Sequence, residues 1–352
     1  MLGKVDELTK RVLVAREFGL RRRFQDGNED VISVSSLGTL FSMPVAPSYA
    51  FVFARMARAA DLVVHHAPFP LVDVGLLAGL PSKTALVVHW HAEMATRPLL
   101  ARLIAPFVRH TLNRADCIVV SDSIIVDKSK LLAPHAEKCT VVPYGCDTDY
   151  WGALDEAGRR VADDLKTRFP KLIVSVGRLV PYKGFETLLY AMASVDAQAV
   201  IIGSGPLRQS LERLAAKLGI SHKVLFAGSL PRDQIRQYFG AANVFAFPSL
   251  TSAEAFGLAQ IEAMAAGLPL VNTSLPTAVP RVARHEQEAL TVPPGDPTAL
   301  ASALRRLLSD DELARRLGRS ASRRAHSEFN EKKYLERMAN IYREAVERRH
   351  MG

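Results

Sequence analysis

Cysteine is scarce: Cys117, Cys139 and Cys146 are the three in 352 residues. Their number is odd and no pair is spaced as Cys-x-x-Cys. Neither a disulfide framework nor a thiolate zinc set is read from them, and a reducing compartment is expected. Long apolar runs are also missing. None reaches the roughly 18 residues that a bilayer-spanning helix needs. The opening MLGKVDELTK has no apolar stretch of the kind a secretory signal carries, so a cytoplasmic chain is the expectation. There is no acidic excess either: Lys and Arg number 45 against 36 Asp and Glu, a formal net charge of +9. That balance favours an anionic partner, whether a nucleotide, a nucleic acid or an acidic membrane surface. No nucleic-acid-binding module is recognisable, so nucleic acid is set aside. What remains, 48% hydrophobic and 23% charged, is ordinary for a globular protein, with length enough for two cores.

Short β-branched runs alternate with helical stretches along the chain. Arg11–Ala15, Asp30–Val34, Leu62–His65, Ala85–His89, Cys117–Val120 and Cys139–Val142 read as strands, with helices such as Ala50–Ala59 and Arg97–Arg114 between them. The pattern repeats at Leu172–Val176, Ala199–Ile202, Val224–Ala227, Val244–Phe247 and Leu270–Val271. Such alternation predicts an α/β protein of two doubly wound, Rossmann-like domains, residues 1–155 and 156–330, facing across a ligand cleft. The last amphipathic stretch, residues 331–352, is expected to pack back toward the first domain.

The rest is organised around Pro248–Val271, PSLTSAEAFGLAQIEAMAAGLPLV. Leu258, Ile261, Ala265 and Leu268 recur at helical spacing, which predicts a helix from about Ala255 to Ala266, stopped by Gly267 and Pro269. A strand, a polar loop and a helix start offer free N–H groups around Phe256, Gly257 and Leu258, suited to a phosphate. Glu254, just before the helix, can accept two sugar hydroxyls. Glu262, about two turns in, lies amid Ile261, Ala263 and Met264, and a carboxylate there needs a partner such as ribose. Upstream, Gly177 lets the backbone approach a ligand closely, while Arg178 and Lys183 suit a diphosphate, Arg by paired bonds and Lys as a point charge. Gly203-Ser204-Gly205 ends another strand. It reads as a nucleotide loop or a plain turn, and the acidic residue of a dinucleotide fingerprint is missing from the next strand end.

With these motifs together, the chain resembles glycosyltransferase family 4, the retaining, metal-independent transferases of GT-B architecture. The glutamate pair followed by EAMAAGLP is the most specific part. HHAPFP and VVHWHAE place the likeness with the branch that builds bacterial surface polysaccharides, often with mannosyl or related donors. The resemblance implies a nucleotide diphosphate sugar as donor and a saccharide or lipid-linked acceptor, with no cofactor and no metal. It implies catalytic roles for His91, Arg178, Lys183 and Glu254. Donor binding falls to Gly177, Gly203, Gly205, Phe256, Gly257, Leu258 and Glu262, and the segment Phe226–Gly228 borders the base. His66 fits the family's acceptor-side histidine.

His65, His66, His89 and His91 also admit a metal reading, but no Asp or Cys ligand spacing accompanies them. His89 is assigned to core packing, on the side of its strand opposite His91. Arg97, Arg102, Arg109 and Arg114 make the helix they punctuate either an ordinary solvated one or a basic face for anionic lipid, and Arg21, Arg22 and Arg23 either add to that face or form a solvated loop. The pattern departs from the family at the start, where a strand, a glycine-rich loop and a helix usually precede the element that RVLVA resembles. The expectation is an upstream start or a shortened copy. A central strand would then be missing, leaving two neighbours without a ladder partner. Leu275–Ala278 stands where relatives carry glycines. Two other classes stay open: a sugar-nucleotide 2-epimerase of the same architecture and a non-catalytic nucleotide-sugar binder.

Overall fold

The computed structural model describes residues 9–40, 43–92 and 98–351. The chain forms two compact units, one of residues up to Val142 together with those from Tyr334 onward, the other Pro143–Lys333. The division falls earlier than the expected boundary at 155/156. Asp147 caps the helix Thr148–Gly152 by accepting from the Tyr150 N–H at 3.0 Å. That helix buries Trp151 against Phe239, ring centroids 5.6 Å apart. Burying an indole outweighs the polar look of the following segment, so this stretch belongs to the second core.

In the second unit, strands β10 (Leu172–Val176), β11 (Gln198–Ile202), β12 (Val224–Gly228), β13 (Val244–Ala246), β14 (Leu270–Thr273) and β15 (Ala289–Val292) form one sheet in the order β12-β11-β10-β13-β14-β15. Every pairing is parallel. Leu172 and Val174 enter one core cluster while Ile173 enters another. Both faces are therefore covered, which is why these strands read as continuous apolar runs. The order reverses direction between β10 and β13, the point in such a sheet where a crevice opens at the carboxyl ends of the strands. Strand β15 has no counterpart in the sequence reading, because ALTV is too short and mixed to signal alone.

In the first unit, β1 (Lys10–Ala15), β2 (Arg22–Asp26) and β3 (Glu29–Val34) form a sheet ordered β1-β3-β2. A two-stranded piece joins β4 (Thr39–Leu40) to β5 (Met43–Pro44), and β6 (Leu62–Ala67), β7 (Ala85–Trp90), β8 (Cys117–Val120) and β9 (Cys139–Val141) form a separate parallel sheet in chain order. Among the described residues β1 pairs only with β3, and β6 only with β7. Of the arginines read as part of a basic face or as a solvated loop, Arg22 and Arg23 lie on β2, exposed and antiparallel to β3. Arg23 meets Asp30 there through two bonds of 2.8 and 2.7 Å, across a pairing that the polar sequence RRFQD does not advertise.

The helix Glu331–Met351 carries the chain from the second unit into the first. Its first-unit part buries Tyr334, Met338, Tyr342 and Ala345, and Arg349 Nε lies 2.7 Å from Asp116. No helix among the described residues is long and apolar enough to cross a membrane.

Candidate active site

The carboxyl ends of β10 and β13 bring the organising stretch and the basic loop together. A short turn, Pro181–Lys183, follows β10 and presents Lys183. Its Nζ lies 2.6 Å from Glu254 Oε2, with both side chains largely out of water. Ser249 Oγ donates to the same oxygen at 3.1 Å, and the ring of Phe247 lies 5.2 Å from the ammonium. A cation and an anion in so dry a place neutralise each other, since either alone would carry a large desolvation cost. The same pair can be redistributed on a ligand that offers a phosphate to the lysine and hydroxyls to the carboxylate.

The helix after Glu254 runs from Leu258 to Ala265, three residues shorter at its start than its apolar period predicts. Gly257 stands at φ +85° and breaks helical geometry there. A Cβ on it would come within 2.8 Å of Gln260 Nε2 and 2.9 Å of the Phe247 ring. Only glycine fits both the left-handed backbone and the space. The N–H groups of Phe256, Gly257 and Leu258 have no acceptor among the described residues. They are a set of free donors beside the start of the helix. The side chain of Phe256, by contrast, is core. It is 4% exposed and sits edge-on to Tyr144 and Phe329, so that residue can serve a ligand only through its backbone.

A polar network missed by sequence reasoning holds this loop in place. Gln260 donates to the carbonyls of Phe256 and Val279, each at 3.3 Å. Asn272 donates to Gln260 Oε1 at 3.0 Å and to Ala283 O at 2.8 Å. Thr273 Oγ1 donates to Ser249 O at 2.7 Å. All four of Ser249, Gln260, Asn272 and Thr273 are buried. Their one trace in the sequence is that they are polar within apolar runs, which buried positions tolerate only when bonded.

Glu262 lies one turn into the helix rather than two. It is half-buried and makes no hydrogen bond or ion pair among the described residues. Burial pushes its carboxyl up to about 7, with Arg232 pulling the other way. Arg232 itself lies over the rings of Tyr150 and Trp151, 4.7 and 5.1 Å from their centroids, and nothing in the sequence singled it out. A half-buried carboxylate without donors is a place for hydroxyl groups.

The remaining predicted donor residues stitch adjoining loops. The Gly177 N–H donates to Ile202 O at 2.9 Å, Leu179 to Ser204 O at 2.9 Å and Gly203 to Gly228 O at 2.8 Å. A Cβ on Gly203, at φ +143°, would fall 2.0 Å from Gly177 O, and one on Gly205 2.4 Å from Leu179 O. These two glycines thus admit the close backbone approach that sets the β10 and β11 loops side by side. Arg178 is exposed, and its guanidinium has no hydrogen bond or ion pair among the described residues.

His91 belongs to the first unit, just past β7, where its N–H donates to Ala67 O at 3.0 Å. The sequence reading set His89 on the opposite side from His91. Residues two apart on a strand share a face, and their rings lie 6.1 Å apart, both near His66. His66 and His89 are register partners on β6 and β7. His66 Nδ1 lies 2.8 Å from His91 Nε2 with the rings parallel within 3°, and His89 Nε2 lies 2.9 Å from Tyr342 OH. Burial first, and then the neighbouring imidazoles, push all three rings below the usual histidine range. They are neutral at pH 7, able to accept as well as donate. His65 points away into the core, 3.4 Å from Asp73. On the helix Pro98–Arg114, Arg102 and Arg109 are exposed beside Leu103. Arg114 turns inward to Asp116 and the carbonyls of Pro81 and Thr84, so it is no part of a basic face. Arg97 lies outside the described residues.

Comparison with known proteins gives the family and the fold. A family profile described as "Glycosyl transferases group 1" matches residues 163–324, and one described as "Glycosyl transferase 4-like domain" matches residues 8–145. The chain is 31% identical over 278 residues to D-rhamnosyltransferase WbpZ of Pseudomonas aeruginosa, covering 79% of this chain and 72% of that one. It is 27% identical to O-antigen chain mannosyltransferase C of Escherichia coli, over 90% of this chain and 84% of that one. Among solved structures, sucrose-phosphate synthase from Thermosynechococcus elongatus superposes with a TM-score of 0.80 at 22% identity, over 95% of this chain and 88% of that one. Anabaena HepE in complex with UDP gives 0.74 at 21% identity, over 89% and 85%. These two likenesses speak for the fold, that of the GT-B glycosyltransferases.

Proposed function

The chain belongs to the group 1 glycosyltransferases, and from that membership we propose that it moves a hexosyl group, mannose or a close relative, from a nucleotide diphosphate sugar to a saccharide or lipid-linked acceptor during assembly of a cell-surface polysaccharide. The observation that carries this reading is the Lys183–Glu254 pair at the switch point of the second sheet, 2.6 Å apart and followed in sequence by three N–H groups without acceptors among the described residues. The relatives named for D-rhamnosyl and O-antigen mannosyl transfer supply the sugar class and the polysaccharide setting.

In this reading the donor's diphosphate takes Lys183 from Glu254, and Arg178 and the N–H groups of Phe256–Leu258 complete the anion site. Glu254, released from the lysine, accepts hydroxyls of the sugar, and Glu262 accepts those of the ribose. The bond from the anomeric carbon to the leaving phosphate oxygen breaks, the acceptor oxygen bonds to that carbon, and the acceptor's proton passes to the departing phosphate. The developing negative charge is met by fixed positive groups of the chain itself, so the step needs no metal, and the acceptor enters on the leaving group's face with retention of configuration. The neutral His91 orients the reacting sugar. Arg102, Arg109 and Leu103 present the side that meets an anionic membrane surface bearing the acceptor.

The test is to incubate the protein with a panel of UDP-, GDP- and ADP-sugars, first alone and then with a lipid-linked mannosylated acceptor. Heat stabilisation by one donor class and an α-linked product that forms only with acceptor are expected. Conversion of the donor alone would replace this reading with epimerisation. Stabilisation without product from any acceptor would leave a binding protein.

A further inference from the structure

The proposed transfer uses one imidazole of the first unit, yet three converge there. His66 near the end of β6, His89 near the end of β7 and His91 just past β7 each offer a ring nitrogen, and the three lie within 4.8 Å of one another. We propose that this cluster is a binding site for a divalent transition-metal ion of zinc type, held by the three imidazoles with its remaining position open to solvent.

The donor set decides the class of ion. Three imidazoles with no thiolate and no carboxylate suit zinc, copper or nickel and disfavour magnesium and calcium, which require oxygen ligands. Three protein nitrogens and one open position is a coordination that zinc adopts readily. The three nitrogens, within 4.8 Å of one another, must draw in to roughly 3.3 Å apart, a closure of up to roughly 1.5 Å by side-chain rotation. His66 Nδ1 and His91 Nε2 already point at each other in parallel ring planes, 2.8 Å apart. Two zinc–nitrogen bonds of about 2.0–2.1 Å at a tetrahedral angle require roughly 3.3 Å between the nitrogens. That pair must instead separate by roughly half an ångström, which small side-chain rotations supply. One of the two facing nitrogens carries the proton they share. It moves to the other nitrogen of its own ring when the ion enters, so no imidazole loses charge.

Access and support are both present. His66 is exposed and His91 half-exposed, giving an entry path, while His89 is buried. Tyr342 holds His89 Nε2 at 2.9 Å from the C-terminal helix, an outer contact of the sort that fixes ring orientation in metal sites. Histidines on two paired strands and just past one of them also give a rigid frame, since His66 and His89 are register partners. The ion would tie the ends of β6 and β7 together. The donor set does not depend on which sugar is moved, but it includes the His91 ring that the proposed transfer gives to the sugar, so ion and sugar would compete for that ring.

The test uses the full chain without any affinity tag, stripped of metal. Calorimetric titration with zinc chloride should show one saturable site of micromolar dissociation constant or tighter. Cobalt(II) in its place should give visible bands of tetrahedral intensity. His66→Gln and His91→Gln should each weaken zinc by at least about a hundredfold, and Tyr342→Phe by about tenfold. His222→Gln, at an exposed histidine of the second unit, should change nothing. Lack of a saturable zinc site, a weak octahedral cobalt spectrum, or unchanged affinity in His66→Gln would each overturn the proposal. His66 is exposed, so its variant keeps the test decisive even where His91→Gln fails to fold.

Discussion

The two units are built from similar strand sequences, and among the described residues their sheets differ in how many strands have a partner on each side. In the second, β10 has a partner on each side and its run from Leu172 to Ser175 is buried throughout. In the first, β1 has the equally apolar core Val12, Leu13 and Val14, yet no residue of it is fully buried and Val14 is 37% exposed. Strand β6 is likewise half-exposed over Leu62, Val63 and Val64. A β-branched run specifies a strand, but whether that strand is interior depends on having two neighbours. The residues proposed to bind the donor lie at the six-stranded sheet, and the histidines lie at β6, an edge strand among the described residues, and at its neighbour β7.

The largest expected consequence lies in amide exchange. Amides of β1 that face away from β3, and of β6 that face away from β7, should exchange at least about a thousandfold faster than those of β10 and β11, because open edges exchange without global unfolding. Peptide-resolved deuterium uptake under native conditions measures this. Equal protection would mean that the edges are covered in solution and the contrast between the units fails.

Next comes the charge at the switch point. Lys183→Ala should reduce transfer by about two to three orders of magnitude, the usual cost of losing one group that meets developing charge. It also strands Glu254 with Ser249 as its remaining partner, so the thermal midpoint should fall. Adding Glu254→Gln should restore much of that midpoint but none of the activity. Initial rates with labelled donor and circular-dichroism melts separate the two effects. Near-normal turnover in Lys183→Ala would remove the lysine from the anion site.

A smaller effect tests how tightly the second unit's loops are joined. Gly203→Ala places a methyl group 2.0 Å from Gly177 O and asks alanine for a left-handed backbone. A loss of about 2–3 kcal/mol is expected, seen as a shifted denaturant midpoint with weaker donor binding. An unchanged midpoint would show that the β10 and β11 loops can part without cost, and the second unit would lose its claim to greater rigidity.

Much of this was legible in the residues and some was not, for identifiable reasons. The strand runs, the basic loop after β10 and the glutamate pair carry local signals of period and composition. The start of the Leu258 helix was misplaced because apolar period says nothing of Gly257, whose backbone is set by Phe247 and Gln260 packing around it. Strand β2 was invisible because RRFQD is exposed at every position and carries no apolar alternation to mark a strand. The histidine cluster needed β6 to pair with β7, and Tyr342 meets His89 across 253 residues. Contacts at that separation leave no trace in a local pattern. The buried bonds of Gln260 and Asn272 are of the same kind.

The smallest effect is also the one most specific to the second unit. Burial raises the Glu262 carboxyl from 4.5 to about 7. A carboxyl whose folded value lies above its unfolded one holds its proton more tightly when folded. Its contribution therefore favours the fold below about pH 4.5 and is lost as pH rises through about 7. Glu262→Gln, which does not titrate, should be more stable than the native chain at pH 8 by about 1–2 kcal/mol, a figure reduced for the solvent that still reaches the side chain. The difference should vanish near pH 4.5, as denaturant melts at both pH values would show. The same variant should bind the donor more weakly, because the carboxylate's value lies in the hydroxyls it would accept. Stability gained and binding lost by one substitution is the signature of a residue kept for a ligand rather than for the fold. A variant less stable at every pH would mean that Glu262 has a partner within the chain, and the orphaned carboxylate could no longer be assigned to the ribose.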